Sequence, residues 1–341
     1  MRRHLNTLFV TAENAWLGKE GNAVVVRVGQ ETRLRVPLHM LEGIVCFGPV
    51  MVSPMLMGHC AEQGVRISFL TVHGRFLARV EGPVSGNVLL RRTQYRVADD
   101  PGEAAVLARA IVLAKIGNCR TVLLRAARDH AAGVERLRGA AAALAGIVKL
   151  LGQETDLERI RGLEGEAART YFGVFDAMIR SEEEVLRFRG RSRRPPLDAV
   201  NALLSFVYTL LLHDVRSALE GVGLDPQVGF LHRDRPGRPS LALDLMEELR
   251  PVIADRLVLS LLNRRQVTGR DFSRRESGAV LLEDEGRRAV LVAYQERKKD
   301  ELRHPFLGEK CTVGAIPHLQ ALLLARYLRG DIDAYPPFFS R

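Results

Sequence analysis

The spacing of the hydrophobic residues changes from a period of two to a period of about 3.6 near residue 90, and this change constrains the fold more than any other feature. Before it, short segments rich in Val, Ile, Leu and Phe are separated by turn sequences such as Lys19-Glu20-Gly21-Asn22, which is typical of β-strands joined by hairpins. After Leu89-Leu90-Arg91-Arg92, apolar residues recur at i, i+3, i+4 and i+7, which indicates amphipathic helices. The sequence therefore predicts an α+β chain in which a small β domain precedes a larger α-helical domain.

The length supports two domains, because 341 residues exceed the roughly 100–200 residues of a usual domain. We place the domains at residues 1–92 and 93–341. Strands are predicted at Leu5–Val10, Ala23–Val28, Leu34–Val36, Gly43–Phe47, Val65–Leu70 and Phe76–Val80, with a short helix at Pro54–Gln63. Helices are predicted at Ala104–Arg128, Val134–Leu151, Leu157–Ile179, Leu197–Leu219 and Leu241–Asn263. The β domain is either a scaffold or dimerisation surface, or a module that only stabilises its neighbour.

The charge balance favours a polyanionic partner. Lys and Arg total 50 against 40 Asp and Glu, which gives a formal net charge of +10, and such a surplus attracts nucleic acid through counterion release. Most of the basic residues are arginines, whose planar guanidinium binds two phosphate oxygens at once. Charge alone does not separate this reading from a protein that is simply basic.

Cysteine usage and hydropathy bear on the compartment. Cys46, Cys60, Cys119 and Cys311 are far apart and form no C-x-x-C pair, so the pattern indicates neither a zinc knuckle nor a disulfide framework. The longest apolar stretch, Leu203–Leu212, is shorter than the ~20 residues of a membrane span. We therefore expect a cytoplasmic protein without a membrane segment.

A glutamate lies inside a predicted helix that has little side-chain bulk. Thr155-Asp156-Leu157-Glu158 has the spacing of a capping box, so the helix is predicted to begin there. Glu164 would lie in its third turn, beside Gly162 and Gly165, where small residues suit the close approach of a backbone or a substrate. Glu166 points to another face and is the weaker candidate.

The last predicted helix carries three acidic residues at i, i+3 and i+4, namely Asp244, Glu247 and Glu248. This spacing stacks them on one side, where they repel one another unless a cation lies nearby. Either a divalent ion near His232 or an ion-pair network with arginines would remove the repulsion. Carboxylate oxygens with one imidazole suit Mn²⁺ or Mg²⁺, and such ions assist phosphodiester chemistry.

Two basic segments are candidate phosphate contacts. Arg187 to Pro196 reads Arg-Phe-Arg-Gly-Arg-Ser-Arg-Arg-Pro-Pro, which predicts a mobile loop, because it has no apolar face and ends in paired prolines. A solvated linker is the alternative interpretation. The arginines that we assign to DNA binding are Arg191, Arg193, Arg194, Arg235 and Arg238.

Three motifs resemble those of the CRISPR-associated endonuclease and integrase family that inserts new spacers, in particular its subtype I-C branch. They are Gly162-Leu163-Glu164-Gly165-x-Ala167-Ala168-x-x-Tyr171-Phe172, Pro196-x-Asp198-x-x-Asn201-Ala202-Leu203-Leu204-Ser205-Phe206, and Gly229-Phe230-Leu231-His232 with Asp244-Leu245-Met246-Glu247-Glu248-x-Arg250-Pro251. The resemblance implies an N-terminal β-sandwich joined to a helical catalytic domain. It also implies catalytic metal ligation by Glu164, His232 and Glu247, with Asp244 as a possible auxiliary acid. The implied partners are a second copy in a homodimer, the small second CRISPR-associated subunit, and DNA.

These observations predict a metal-dependent DNA endonuclease and integrase that inserts spacers by attack of a 3′-hydroxyl on a phosphodiester. The chain has no G-x-x-x-x-G-K-[ST] motif, in agreement with an exchange of bonds that needs no ATP. Two alternatives stay open from the sequence. One is a standalone metal nuclease for branched or single-stranded nucleic acid, and the other is a non-catalytic nucleic-acid scaffold in which the acids only neutralise arginines.

Overall fold

The chain forms two compact units in a computed structural model, Met1–Gly86 and Asn87–Arg341. The structure describes residues 7–41, 43–72, 76–80, 88–129 and 133–340. Arg92, the last residue of the first predicted domain, lies inside a helix that runs from Val88 to Asp99. Leu5, the first residue of the first predicted strand, lies outside the described residues.

The first unit contains two four-stranded sheets. Its strands are β1 Thr7–Val10, β2 Ala15–Glu20, β3 Ala23–Val28, β4 Glu31–Pro37, β5 Gly43–Phe47, β6 Met51–Val52, β7 Arg66–Leu70 and β8 Phe76–Val80. One sheet has the order β1-β5-β7-β8 and the other β4-β3-β2-β6. Helix α1, Pro54–Glu62, begins after Ser53, whose hydroxyl accepts a hydrogen bond from the Leu56 amide.

Both sheets contribute to one hydrophobic core. Val10, Ile44 and Ile67 come from the first sheet, while Leu17 and Val24 come from the second, and all five belong to the same buried cluster. Alternating apolar residues on each strand can bury one face of each sheet in this way. The prediction of a β-sandwich is confirmed.

The second unit is mainly helical. Its helices are α2 Val88–Asp99, α3 Pro101–Asp129, α4 Val134–Leu151, α5 Leu157–Gly173, α6 Ala199–Gly221, α7 Ser240–Leu249, α8 Arg256–Asn263, α9 Asp284–Lys299 and α10 Ile316–Leu328. Helix α3 packs against α4, α5 and α7, so it lies between the two helices that carry Glu164 and Glu247. The unit is not purely helical, because β9 Phe272–Arg274 pairs with β10 Val280–Leu282, and β11 Glu301–Arg303 pairs with β12 Lys310–Thr312.

The helix predicted at Leu241–Asn263 is interrupted. Between α7 and α8, residues Arg250–Asp255 form a π-helix. Pro251 has no amide hydrogen to donate to the carbonyl four residues earlier, so the regular α-helical ladder cannot pass through it. The widened turn places Arg250 and Asp255 in the buried interior beside the candidate site.

The start of α5 differs from the predicted capping box. Asp156, rather than Thr155, is the N-cap residue, and its carboxylate accepts a hydrogen bond from the Glu158 amide at 2.8 Å. Helix α5 ends at Gly173, and a separate 3₁₀ turn covers Phe175–Met178. The predicted start was therefore correct to one residue, although the capping residue was wrong.

Helix α6 satisfies the length and composition of a membrane span within the described part of the chain, with a mean hydropathy of 1.3. Its window of strongest hydropathy is 56% buried inside the protein. Core helices satisfy the same two criteria, so this property is weak evidence for a membrane.

Candidate active site

A lysine that the sequence analysis did not select lies between the two predicted carboxylate ligands. Lys115, on α3, forms an ion pair with Glu164 on α5, and its Nζ lies 2.6 Å from Glu247 Oε2 on α7. The Lys115 side chain is 10% exposed, against 26% for Glu164 and 2% for Glu247. A single ammonium nitrogen contacts both carboxylates, so Glu164 and Glu247 lie within reach of one cation.

The predicted imidazole approaches the same carboxylate. His232 Nε2 lies 3.9 Å from Glu247 Oε1, and His232 Nδ1 lies 2.6 Å from Asp244 Oδ1. The Asp244 carboxylate is fully buried and also accepts hydrogen bonds from the backbone amides of Phe230, Leu231 and His232. Asp244 therefore fixes both the loop and the ring, and Nε2 is the ring atom that faces Glu247.

Two further contacts explain the motif that contains His232. A Cβ atom at Gly229 would lie 2.6 Å from Asp244 Oδ2 and 2.7 Å from the Ser240 carbonyl carbon, so a larger residue would displace the start of α7. Arg161, on α5, donates a hydrogen bond from Nε to the Leu231 carbonyl at 2.5 Å. The loop is thus tied to α5 and α7, which carry the two glutamates.

An arginine pairs with the other oxygen of Glu247. Arg250 Nη1 donates to Glu247 Oε1, and the Arg250 guanidinium lies 5.1 Å from the centre of the Tyr208 ring. Burial opposes ionisation of Glu247, but Arg250 and Lys115 outweigh it and lower the pKa of Glu247 to about 2. Burial also acts to lower the pKa of Lys115, yet the carboxylates of Glu247 and Glu164 raise it. Glu247 and Lys115 are therefore both ionised at neutral pH.

The donor set suits a hard divalent ion, although the side chains are not arranged around one. Within the described residues, no three His, Cys, Asp or Glu side chains are close enough to form a metal-binding group. The reason is local, because Lys115 lies between Glu164 and Glu247. Glu247 Oε2 is buried and faces the Lys115 ammonium at 2.6 Å, so this oxygen already lies against a cation. The chemistry of Glu164, His232 and Glu247 thus fits Mg²⁺ or Mn²⁺.

Glu248 does not share the side of α7 that faces His232, which corrects the prediction of three stacked acids. Its carboxylate accepts hydrogen bonds from the Tyr335 hydroxyl at 2.5 Å, the Phe338 amide at 2.6 Å and the Gln320 side chain at 3.2 Å. Burial raises the pKa of Glu248 to about 7 despite these donors. The acid therefore anchors the C-terminal segment, which is buried at Tyr335 and Phe338 and is not a frayed end.

The predicted mobile loop is held in place by Arg191 and Asn201. Arg191 Nη1 donates to Asn201 Oδ1 at 2.6 Å, and the guanidinium lies 5.9 Å and 5.4 Å from the ring centres of Phe172 and Tyr208. Asp198 caps α6 by accepting from the Asn201 amide at 2.7 Å. The motif Pro196-x-Asp198-x-x-Asn201 therefore stabilises the loop. Arg191 is partly buried, whereas Arg193, Arg194 and Arg235 are exposed and Arg238 is intermediate.

A cavity of about 20 Å³, partly open to solvent, lies beside Lys115 and Arg250, the two cations that contact Glu247. Lys115, Arg193 and Arg250 supply positive charge to its wall, and Tyr171 and Tyr208 supply aromatic surface. Both tyrosine hydroxyls donate to the buried Asp255 carboxylate, at 3.1 Å and 2.6 Å. The wall of the cavity therefore carries positive charge from the residues that contact Glu164 and Glu247.

The glycines of α5 border open space rather than another backbone. A Cβ atom at Gly162 would meet no atom within 4 Å, and one at Gly165 would meet only Arg169 Nη1, at 3.9 Å. The described part of the protein thus does not use the small residues for close packing. Approach of a substrate to this face stays a prediction.

Comparison with known proteins decides the family. The chain matches the family model described as CRISPR associated protein Cas1 over residues 8–296. The CRISPR-associated endonuclease Cas1 1 of Chlorobaculum tepidum is 58% identical over 343 residues, with 100% of both chains covered. The chain belongs to the Cas1 family. The resemblance inferred from the three motifs is confirmed, and the subtype I-C branch stays a prediction.

Solved structures of other proteins have the same fold. A casposase bound to integration product superposes with a TM-score of 0.84 at 22% identity, covering 98% of this chain and 95% of that one. A chain of a Cas6-RT-Cas1–Cas2 complex gives a TM-score of 0.83 at 22% identity, covering 99% of this chain and 36% of that one. At such identities the likeness shows a common Cas1-type fold.

Proposed function

We propose that this Cas1 family member is a metal-dependent DNA endonuclease and integrase of CRISPR adaptation. It would join the 3′-hydroxyl of a short DNA fragment to a phosphodiester at the edge of a CRISPR repeat. The observation that carries the proposal is that the Lys115 ammonium contacts both Glu164 and Glu247, while His232 Nε2 lies 3.9 Å from the other oxygen of Glu247. The name of the Chlorobaculum tepidum relative and the integration product bound to the casposase support it.

Glu164, His232 and Glu247 would hold Mg²⁺ or Mn²⁺. When bound, the ion would polarise the phosphodiester and offset the charge that develops on its oxygens. Asp244 holds His232 with Nε2 turned toward Glu247, and Arg250 holds the Glu247 carboxylate. These contacts orient the ligands before substrate arrives, so little reorganisation is needed during the reaction.

The basic residues would position DNA. Arg193 and Arg250 contribute positive charge to the cavity beside the carboxylates, where a backbone phosphate would be attracted. Arg194, Arg235 and Arg238 are proposed contacts farther along the strand. Transesterification exchanges one phosphodiester for another, so the reaction needs no nucleotide hydrolysis.

We propose three partners. DNA is favoured by the net charge of +10 and by the casposase complex. The small second CRISPR-associated subunit is favoured by the fold shared with a chain of the Cas6-RT-Cas1–Cas2 complex. The homodimer, like the cytoplasmic location, follows from the sequence analysis and needs its own measurement.

Joining of labelled DNA tests the function. Supercoiled plasmid that carries a repeat is incubated with labelled fragments, the second subunit and Mn²⁺, and covalent transfer of label is measured for wild type, Glu164→Gln and Glu166→Gln. Glu166 is exposed on the same helix and provides the control. We expect joining by wild type and Glu166→Gln, with loss of joining but not of DNA binding in Glu164→Gln. Cleavage without joining would favour the standalone nuclease, and DNA binding by wild type with neither cleavage nor joining would favour the scaffold.

A further inference from the structure

Lys115 is a charged residue on the buried side of α3, and its position needs a reason. Its neighbours Ala114 and Ile116 are 0% and 1% exposed. A buried ammonium is costly unless carboxylates surround it, and Lys115 has two, Glu164 and Glu247. These are the two carboxylates that the proposed function assigns to a metal ion.

The charge balance around the site depends on this lysine. Lys115 contacts Glu164 and Glu247, and Arg250 contacts Glu247, whereas Asp244 contacts His232. Without Lys115, Glu164 would lose its ion-pair partner, and Glu247 would keep only Arg250. Two carboxylates held close together repel each other and would then bind any available cation strongly.

An ammonium and a divalent ion cannot share these oxygens. Metal ligation to carboxylates takes place at about 2.0–2.2 Å from the oxygen, on the same atoms that the Lys115 ammonium contacts. Two cations so close together in a buried site repel strongly. Binding of the ion therefore requires the ammonium to leave the carboxylates, and Lys115 already lines the adjacent cavity together with Arg193 and Arg250.

We propose that Lys115 is an internal counter-ion that occupies the cation position of the metal-free protein. It competes with the divalent ion for Glu164 and Glu247. When the ion binds, Lys115 is displaced toward the cavity and binds the phosphate of the DNA. The inference rests on the proposed function, since it needs a metal ion at Glu164, His232 and Glu247. The inference assigns Lys115 a role that a purely structural ion pair would not have. Removal of the lysine is expected to strengthen metal binding and to weaken the joining of DNA.

Calorimetric titration with Mn²⁺, in the absence of DNA, tests the first part. The proteins are wild type, Lys115→Met, Lys115→Arg and Lys298→Met. Lys298 is the matched control, since it is 6% exposed and its Nζ lies 2.9 Å from Asp214 Oδ2, away from the site. We expect Lys115→Met to bind Mn²⁺ about tenfold more tightly or better, the scale on which neighbours of metal ligands change affinity. Lys115→Arg, which keeps the charge, and Lys298→Met are expected to bind as wild type does.

The joining reaction at saturating Mn²⁺ tests the second part. We expect Lys115→Met to join DNA about tenfold more slowly or worse, although its metal site is filled more easily. Unchanged or weaker Mn²⁺ binding by Lys115→Met, with normal binding by wild type, would overturn the inference and leave the proposed function intact. Absence of Mn²⁺ binding by wild type would overturn both.

A crystal of the wild-type protein soaked in Mn²⁺ keeps the inference testable if Lys115→Met does not fold. We expect Lys115 Nζ to lie beyond hydrogen-bonding distance of both carboxylates and to point into the cavity. An ion bound by Glu164, His232 and Glu247 with the Lys115 ammonium still between the two glutamates would contradict the displacement.

Discussion

His232 and the buried Asp244 form a pair in which the ring Nδ1 lies 2.6 Å from the carboxylate Oδ1. A carboxylate accepts, so Nδ1 donates and Nε2 keeps the lone pair that faces Glu247. The same carboxylate holds the backbone amides of Phe230, Leu231 and His232. Asp244, which the sequence offered only as a possible auxiliary acid, therefore has the contacts of a residue that positions the proposed imidazole ligand.

Asp244→Asn tests this positioning. Both oxygens of the Asp244 carboxylate accept hydrogen bonds, whereas the asparagine amide has one oxygen only. The His232 ring would lose its fixed tautomer, and we expect Mn²⁺ affinity and DNA joining to fall about 10–100-fold. Calorimetry and the labelled-fragment assay measure the two quantities, and a melting curve checks that the variant is folded. Asp331→Asn, at an exposed ion pair with Arg329, should behave as wild type. Undiminished metal affinity in Asp244→Asn would refute the role.

Asp255→Asn should remove a pH dependence of stability. Asp255 is 2% exposed, and burial raises its pKa from 3.8 to about 6 in spite of the donors Tyr208 and Tyr171. Below about pH 4 the carboxyl is protonated in both the folded and the unfolded state. As the pH rises from about 4 to about 6, the Asp255 carboxyl ionises in the unfolded state but stays protonated in the folded state. The free energy of unfolding of wild type therefore falls relative to that of Asp255→Asn, by at most about 3 kcal/mol. Urea unfolding at several pH values from 4 to 8 measures it, and a difference that does not vary with pH would contradict the assignment.

Regular periodicity predicted the helices well and the irregular elements poorly. Helix α4 was predicted with its observed bounds, Val134–Leu151, because its apolar residues recur at helical spacing without interruption. Strand β2 was missed, since Gly18 and two charged residues hide its alternation. The Trp16 ring lies where a side chain at position 18 would be. The alternation of apolar and polar residues in the sequence does not show this packing of Trp16 on Gly18.

The sequence indicated the three proposed ligands but not the residues that contact them. Glu164, His232 and Glu247 are recognisable from their motifs, whereas Lys115 depends on α3 packing against both α5 and α7. A lysine between Ala114 and Ile116, within an apolar helix, was the available signal. Tyr335 and Phe338 reach Glu248 across about ninety residues of sequence, and no short-range pattern can show such a contact.

Arg191 and Arg194 should separate folding from DNA binding within one basic loop. Arg191→Ala would leave the buried Asn201 Oδ1 with one donor fewer, and it would remove the cation–π contacts with Phe172 and Tyr208. We therefore expect a loss of about 2 kcal/mol in the free energy of unfolding. Arg194→Ala, at an exposed position, should change stability by less than about 0.5 kcal/mol. Its DNA affinity should fall, with a salt-dependence slope that is smaller by about one. Equal effects of the two variants on stability would contradict the division.

Phe338 and Phe339 provide an adjacent pair that tests whether the C-terminal segment is part of the core. Phe338 is 1% exposed, its amide donates to Glu248, and its carbonyl accepts from Asn118 Nδ2 at 2.8 Å. Phe339 is 42% exposed, and its ring rests near Gly117.

Truncation of Phe338 to Ala should therefore leave a cavity beside α7 and cost about 3–5 kcal/mol in the free energy of unfolding. Phe339→Ala should cost less than about 1 kcal/mol. Because Glu248 neighbours the proposed ligand Glu247, Phe338→Ala should also weaken Mn²⁺ binding, while Phe339→Ala should not. Denaturant unfolding and calorimetry measure both quantities, and a Phe338→Ala protein as stable as Phe339→Ala would mean that the Phe338 ring does not stabilise the core.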